Sequence, residues 1–477
     1  MPAERPASEN TLPVDFLERM RGLLGEEYPE FAAACASPPV TGLRVNLLKL
    51  SQEEFISRSP YKLEPVPWCP DGFRIAGLVE NAPGAALSPG RHPYHAAGLY
   101  YLQDPSAMAP VVLMDPQPGE LVLDLSAAPG GKATMIAARM KNQGCLIANE
   151  IHPRRAWELA ENLERWGARS AAILNEAPAR LAQHFGAIFD RVLLDAPCSG
   201  EGMFRKRETS RQDWSPALVS SCALRQTAIL EEAARLVRPG GRLVYSTCTF
   251  APEEDEAVAL RFLEAHPDFF PEPAPGLPGF SPARPDWVQP RPDPHLARTA
   301  APAMVRIWPY KVEGEGHFIA CFRRRNGEAD RIKPMTAGKL PKPAGELWRS
   351  FAERNLKDPV EPDRLFLHRS YLYRLPEGLP DLGGLRWIHL GWWLGILKKE
   401  RIEPSHALAV GLEAGGASRA IHLDPASPEV AQYLRGESLP ADGEAGWILV
   451  TVEGFPLGWG KRVNGVIKNY FPRGLRR

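Results

Sequence analysis

The sequence predicts an α/β protein built around a doubly wound parallel sheet, and three observations carry that prediction. Short apolar runs, LVLDLSA (121–127), CLIANE (145–150), SAAILN (170–175), DRVLLDAP (190–197) and RLVYSTCT (242–249), read as buried strands separated by helical stretches. The first run is followed by Pro129, Gly130 and Gly131, a turn that opens a helix. Polar and reactive residues gather just past the ends of these runs, where open α/β sheets build their sites.

The elements follow in order. Residues 11–100 are a mixed region. A helical pattern (Phe16, Leu17, Met20, Leu23, Leu24) comes first, then strand-like pieces at Gly42–Leu50 and Phe73–Ile75, then Tyr100 and Tyr101 before QDPSAM. In the regular part, GGKATMIAARM, the segment around Arg155–Leu163, and about 216–237 and 252–265 read as helices. Ten prolines within 270–302 predict a loop excursion, and MVRIWP (304–309) with GHFIACFRR (316–324) predicts a closing hairpin. A Lys-, Pro- and Gly-rich linker follows at 326–345. Residues 345–477 predict one or two small α/β or β domains rich in tryptophan.

Composition narrows the function classes. The chain has 477 residues, long enough for about three domains, and Lys+Arg equals Asp+Glu at 57 each, so any polyanion-binding surface must be local. Seven widely spaced cysteines with no CxxC pair argue against a disulfide framework or a structural zinc site, and favour a reducing, cytoplasmic setting with no metal. The N-terminal MPAERPASEN has no apolar core of a signal peptide, and no eighteen-residue apolar run predicts a membrane span.

The turn DLSAAPGGK matches neither the P-loop spacing nor GxGxxG. Glu150 nevertheless ends the second strand, where a carboxylate can accept the hydroxyls of a ribose. Glu176 ends the third strand and is expected beside an adenine; Asp195 ends the fourth. Three strand-end carboxylates suit a neutral or cationic nucleoside better than a phosphate. DAPCSGEG (195–202) and YSTCTF (245–250) place Cys198 and Cys248 after two core strands, so these thiols are expected to be neighbours. The other five cysteines read as small buried hydrophobes.

DLSAAPGGK, ANE, NEA, DAPCSG and YSTCT, in that order, resemble the successive motifs of the RNA cytosine-C5 methyltransferases, as do RVNLLK (44–49), QDPSAM (103–108) and RIWPYKVEGEGHFIA (306–320). RIEPSHALA and GWILVTVEGFPLGWGK…KNYFPRGLR are similar to the bacterial 16S ribosomal RNA enzymes of the RsmF (YebU) kind. Ser126, Ala133 and Glu176 depart from the usual cysteine, threonine and aspartate.

The resemblance implies a class I (Rossmann-like) methyltransferase core at 111–325 after an N-terminal RNA-binding α/β extension at 1–110. A small α/β domain at 345–400 and a PUA-like RNA-binding domain at 401–477 would follow. It implies S-adenosylmethionine as cofactor, held by Ala127, Ala128, Pro129, Gly130, Gly131, Lys132, Glu150, Glu176 and Asp195. Cys248 would be the nucleophile that adds to C6 of cytosine, Cys198 would assist release, and Asp195 would contact the base. The expected substrate is 16S rRNA within the 30S subunit, met by a monomer. Transfer RNA, or a non-catalytic role in ribosome assembly, are the alternatives. FRKRETSR (204–211) and the tail 455–477, with six basic residues beside Trp459, Tyr470 and Phe471, are expected RNA contacts. A cut near residue 340 is expected to spare cofactor binding.

Overall fold

The computed structural model describes residues 12–80, 87–358 and 364–476; the expectation for MPAERPASEN, like that for Arg477, lies outside them. Five strands pair in parallel in the central sheet: Leu121–Asp124, Cys145–Asn149, Ala171–Leu174, Phe189–Asp195 and Val237–Thr247. The chain runs outward through the first three. It then returns to the other side of Leu121–Asp124 with the last two, so the switch point lies between Leu121–Asp124 and Phe189–Asp195. Each strand is apolar on both faces because helices cover both, and Leu123, Ile147, Leu194 and Leu243 pack on one side while Val122, Leu146, Leu193 and Val244 pack on the other.

The expected hairpin forms: Met304–Ile307 pairs with His317–Arg324, which continues the sheet antiparallel to Val237–Thr247. The proline-rich stretch is more ordered than a loop. Phe269–Pro271 and Phe280–Pro282 add edge strands, and Pro294–Ala300 is helical, because proline is tolerated at sheet edges and in first helical turns. On the opposite edge the sequence gives no warning of Trp387–Leu390, which pairs antiparallel with Ala171–Leu174. The small domain therefore contributes a strand to the central sheet, and the cut near residue 340, expected to spare cofactor binding, would strip it away.

The strand expected over Gly42–Leu50 stops at Val45. Asn46 turns the chain there, donating its side-chain amide to the Gly98 and Trp166 carbonyls at 2.7 Å each. Helices Val14–Leu24 and Tyr28–Ala36 bury Phe16, Met20 and Phe31 against Phe204, Phe250 and Trp308 of the core. Ile402–Pro404 pairs with Trp392–Leu397, so the division expected at 400/401 falls inside a hairpin; the small domain's sheet carries through Pro404. The last sheet runs from Ala420–Leu423 to Val466–Asn469 and shares one apolar core with the N-terminal region, Val450 and Leu457 packing with Leu43 and Phe55. No described helix is long and apolar enough to cross a membrane.

Candidate active site

The glycine turn is built by the strand before it and the helix after it. The Ala127 N–H donates to the Asn149 carbonyl at 2.8 Å, Arg155 and Asn162 donate to the carbonyls of Ala128 and Pro129, and Gly130 takes φ +115° before helix Gly131–Arg139 begins. That φ excludes most side chains, so the glycine is a requirement of the backbone.

Asp124, the last residue of its strand, is fully buried, and neither carboxylate oxygen has a well-aligned hydrogen bond. Burial, then the charge of Asp195, push its pKa up to about 8 against the lowering pull of Lys132 and the Ser126 N–H. A buried carboxyl whose oxygens are so poorly partnered beside the glycine turn leaves room for a polar or cationic group of a ligand. Glu150 is buried, with Oε1 accepting the His152 N–H at 2.9 Å and Oε2 3.4 Å from Arg155, which leaves acceptor capacity for ribose hydroxyls. The ammonium and ribose hydroxyls of S-adenosylmethionine fit these two acceptors. Glu176 is buried at the expected position, but its carboxylate accepts the Arg386 N–H at 2.8 Å and lies 3.4 Å from the Arg386 guanidinium. A residue of the small domain thus fixes the Glu176 carboxylate.

Cys198 and Cys248 come together as the sequence suggested, their Sγ atoms 3.3 Å apart. Close backbone packing sets this approach. The Gly202 N–H donates to the Cys248 carbonyl at 2.9 Å, and a Cβ at Gly202 would meet the Gly316 carbonyl at 2.6 Å. The Ser199 hydroxyl and the Thr249 hydroxyl, 2.8 Å apart, tie the two loops again. The Cys198 pKa is raised by its hydrogen bond to Cys248, by burial and by the charge of Cys248, so Cys198 keeps its proton.

Asp195 Oδ2 is 2.7 Å from Lys132 Nζ, and its Oδ1 accepts the Ser246 hydroxyl at 2.8 Å. Burial would raise this carboxyl, but the charge of Lys132 and these hydrogen bonds hold it below the usual value. Lys132 also lies within charge range of Cys248 and Asp124. Lys132, expected to hold the cofactor, is thus engaged in an ion pair with Asp195 near the thiols. Three residues to which the sequence reading gave no role stand here: Asp124, Ser246 and His317. For Asp124 a signal existed, a charge closing an apolar run; Ser246 and His317 gave none.

The basic segment after Cys198 is turned mostly inward. Arg205 is paired with Glu315 at 2.9 Å and Lys206 with Asp104, leaving Arg207 as an exposed cation there. In the tail, Trp459 and Phe471 are core residues, 1% and 4% exposed, so they cannot stack on bases, whereas Tyr470 is exposed beside Trp447 and Lys461. Among the described residues no group of three or more His, Cys, Asp or Glu side chains is arranged to hold a metal.

Four family models match the chain end to end. They describe the N-terminal domain of 16S rRNA methyltransferase RsmF (12–105), 16S rRNA methyltransferase RsmB/F (111–323), the RsmF rRNA methyltransferase first C-terminal domain (350–412) and the methyltransferase RsmF PUA domain (420–477). Ribosomal RNA small subunit methyltransferase F of Vibrio parahaemolyticus is 34% identical, covering 98% of each chain, and that of Escherichia coli strain SE11 is 33% identical, covering 98% of this chain and 96% of its own. A solved methyltransferase homolog from Pyrococcus horikoshii superposes with TM-score 0.57 at 30% identity, over 66% of this chain and 96% of that one. NSun6 from the same organism, solved with SFG, shares the fold at TM-score 0.55 and 21% identity, over 66% of this chain and 99% of that one. With the paired thiols, the nucleoside site and full-length likeness in hand, the chain belongs to the ribosomal RNA small subunit methyltransferase F family.

Proposed function

We propose that this methyltransferase acts at C5 of a cytosine in 16S rRNA, through a covalent adduct between Cys248 Sγ and C6 of the base. The observation that carries the reading is the 3.3 Å approach of Cys198 and Cys248 beside the Lys132–Asp195 pair. C5 of cytosine is a weak nucleophile, and adding a thiolate to C6 makes C5 enamine-like, which splits one hard step into easier ones. We assign the attack on C6 to Cys248, as the family resemblance implies, while the neighbouring Cys198, its thiol raised above the ordinary value, keeps its proton. Asp195, kept ionised, faces the base as an acceptor and orients it for attack by the thiol. S-adenosylmethionine, when bound, supplies the electrophilic methyl sulfonium. Once C5 carries the methyl group, solvent takes up its proton, the C5–C6 double bond re-forms and the C6–S bond breaks, returning its electron pair to Cys248. Cys198 assists that release.

Asp124, Glu150 and the Gly130–Gly131 turn hold the nucleoside, and the small domain's Arg386 steadies Glu176. The target base must leave its stack to reach the thiols. We place the substrate in the small ribosomal subunit, as the names of the relatives suggest, and expect a single copy of the chain to meet it.

The two thiols make the test. Cys248→Ala is expected to abolish methyl transfer and form no covalent RNA complex. Cys198→Ala is expected to accumulate a crosslink that survives denaturing gel electrophoresis and disappears in the double variant. A crosslink from Cys248→Ala alone reverses the roles; activity retained in both variants with no crosslink removes the covalent route. Loss of 5-methylcytosine only from transfer RNA in a deletion strain would overturn the 16S assignment.

A further inference from the structure

His317 opens the antiparallel strand His317–Arg324, one residue beyond the Phe318–Thr247 pair, which sets it across from Cys248. Alternation along a strand puts Ser246 and Cys248 on one sheet face and His317 on the same face of the neighbouring strand. Asp195 joins them there through its hydrogen bond from Ser246. His317 is 4% exposed, and Lys132 and Asp195 both lie within charge range of its ring.

A chain of hydrogen bonds fixes which ring nitrogen carries the proton. Asp104 accepts the N–H groups of Ser106 and Glu315 at 2.9 and 3.1 Å and pairs with Lys206. Lys206 and these hydrogen bonds hold its carboxyl below the usual range despite burial, so it is an acceptor only. The Ser106 hydroxyl, 2.6 Å from Asp104 Oδ1, must therefore spend its one proton on the carboxylate. Ser106 Oγ is also 2.9 Å from His317 Nδ1, and with its proton committed it can only accept there. Nδ1 is then the protonated nitrogen, and Nε2 carries the lone pair. Burial and the nearby Lys132 keep the ring neutral, so this lone pair persists across the neutral range.

The Watson–Crick edge of cytosine offers acceptors at N3 and O2 and a single donor group, the exocyclic amine. A fixed acceptor in the base pocket has one partner on that edge. We infer that His317 is a specificity-determining residue of this enzyme, its Nε2 accepting one hydrogen of the 4-amino group of the target base. Asp195 is the matching acceptor for the amine's second hydrogen. A base with a carbonyl at C4 would face two acceptors with no donor of its own there and would be rejected. The inference rests on the cytosine reading above.

The test couples the residue to the amine. Small subunits are reconstituted from RNA carrying cytidine or 2-pyrimidinone ribonucleoside, which lacks the amine, at the mapped target position, and methyl transfer is measured for each. His317→Asn keeps a donor at the Nδ1 position toward Ser106 and loses the acceptor at Nε2; His317→Gln places an amide oxygen near Nε2. On cytidine, His317→Asn is expected to lose about tenfold to a hundredfold in kcat/KM, with S-adenosylmethionine binding unchanged. On 2-pyrimidinone it is expected to match the parent enzyme, and His317→Gln is expected to recover most of the cytidine activity. Ser106→Ala, which frees the tautomer, gives a smaller loss confined to cytidine and serves if His317→Asn does not fold. Equal losses on both substrates for the folded variants mean a structural role and overturn the inference. A parent enzyme that makes no 5-methylcytosine at any position would instead bring down the cytosine reading itself.

Discussion

The thiol pocket and the C-terminal tail both looked functional in the sequence, one by its cysteines and the other by its basic and aromatic residues. In the fold they part. Cys198 and Cys248, fifty residues apart in the chain, meet at 3.3 Å, while Trp459 and Phe471 of the tail leave the surface for the core. Strand ends converge by topology whatever their side chains, so residues placed there are brought together reliably. Aromatics in a β-rich domain answer first to burial, since each removes a large apolar area from water, and only those on the outward face of a strand remain for a ligand. A reactive residue at a strand end is therefore a stronger functional sign than an aromatic near a basic run.

The largest expected effect breaks the boundary between the two regions. Truncation near residue 340 removes Trp387–Leu390 from the sheet and Arg386 from Glu176, so it is expected to abolish S-adenosylmethionine binding as read by calorimetry, along with cooperative unfolding. A truncated chain that binds the cofactor with parental affinity would show that the nucleoside site is independent of the small domain.

Trp459→Ala tests the buried half of the tail. Trp459 donates to the Ser405 carbonyl at 2.9 Å and packs with Phe351 and Trp348, so its loss is expected to destabilise the protein by about 3–5 kcal/mol in denaturant titration. Retained stability with lost RNA affinity would return Trp459 to the RNA surface.

In the pocket, Asp124→Asn is expected to weaken S-adenosylmethionine binding by roughly tenfold or more, since a buried carboxylate–ammonium pair is removed. Its pH behaviour gives a second reading. Without cofactor the fold holds a proton on Asp124 between the ordinary 3.8 and about 8, so this group's contribution to stability falls as pH rises through that window. Asp124→Asn is expected to flatten that fall in thermal scans from pH 5 to 8. An identical pH slope in parent and variant would mean that Asp124 ionises normally.

The smallest effect belongs to the exposed half of the tail. Tyr470→Ala is expected to leave stability unchanged and lower RNA affinity severalfold, whereas replacing Lys461 should reduce the salt dependence of binding by about one unit of slope. Unchanged affinity in both would remove the tail from the RNA-binding surface.

The sequence by itself determined the five parallel strands, the glycine turn and the two thiol loops. Those features are written in local patterns of apolar runs, glycine and strand-end polar residues that need no distant partner. It also located Glu150 and Asp195 correctly at the ends of their strands. Only the tertiary structure decided what those groups face. The missing partners of Asp124, the Arg386 grip on Glu176 and the Asp104–Ser106–His317 chain each join residues from separate segments. The same holds for the inward turn of Arg205 and Lys206, whose acidic partners Glu315 and Asp104 lie about a hundred residues away in opposite directions. A charge read along the chain looks solvated, and its true state is set by burial and by whichever opposite charge the fold delivers, which no local window contains.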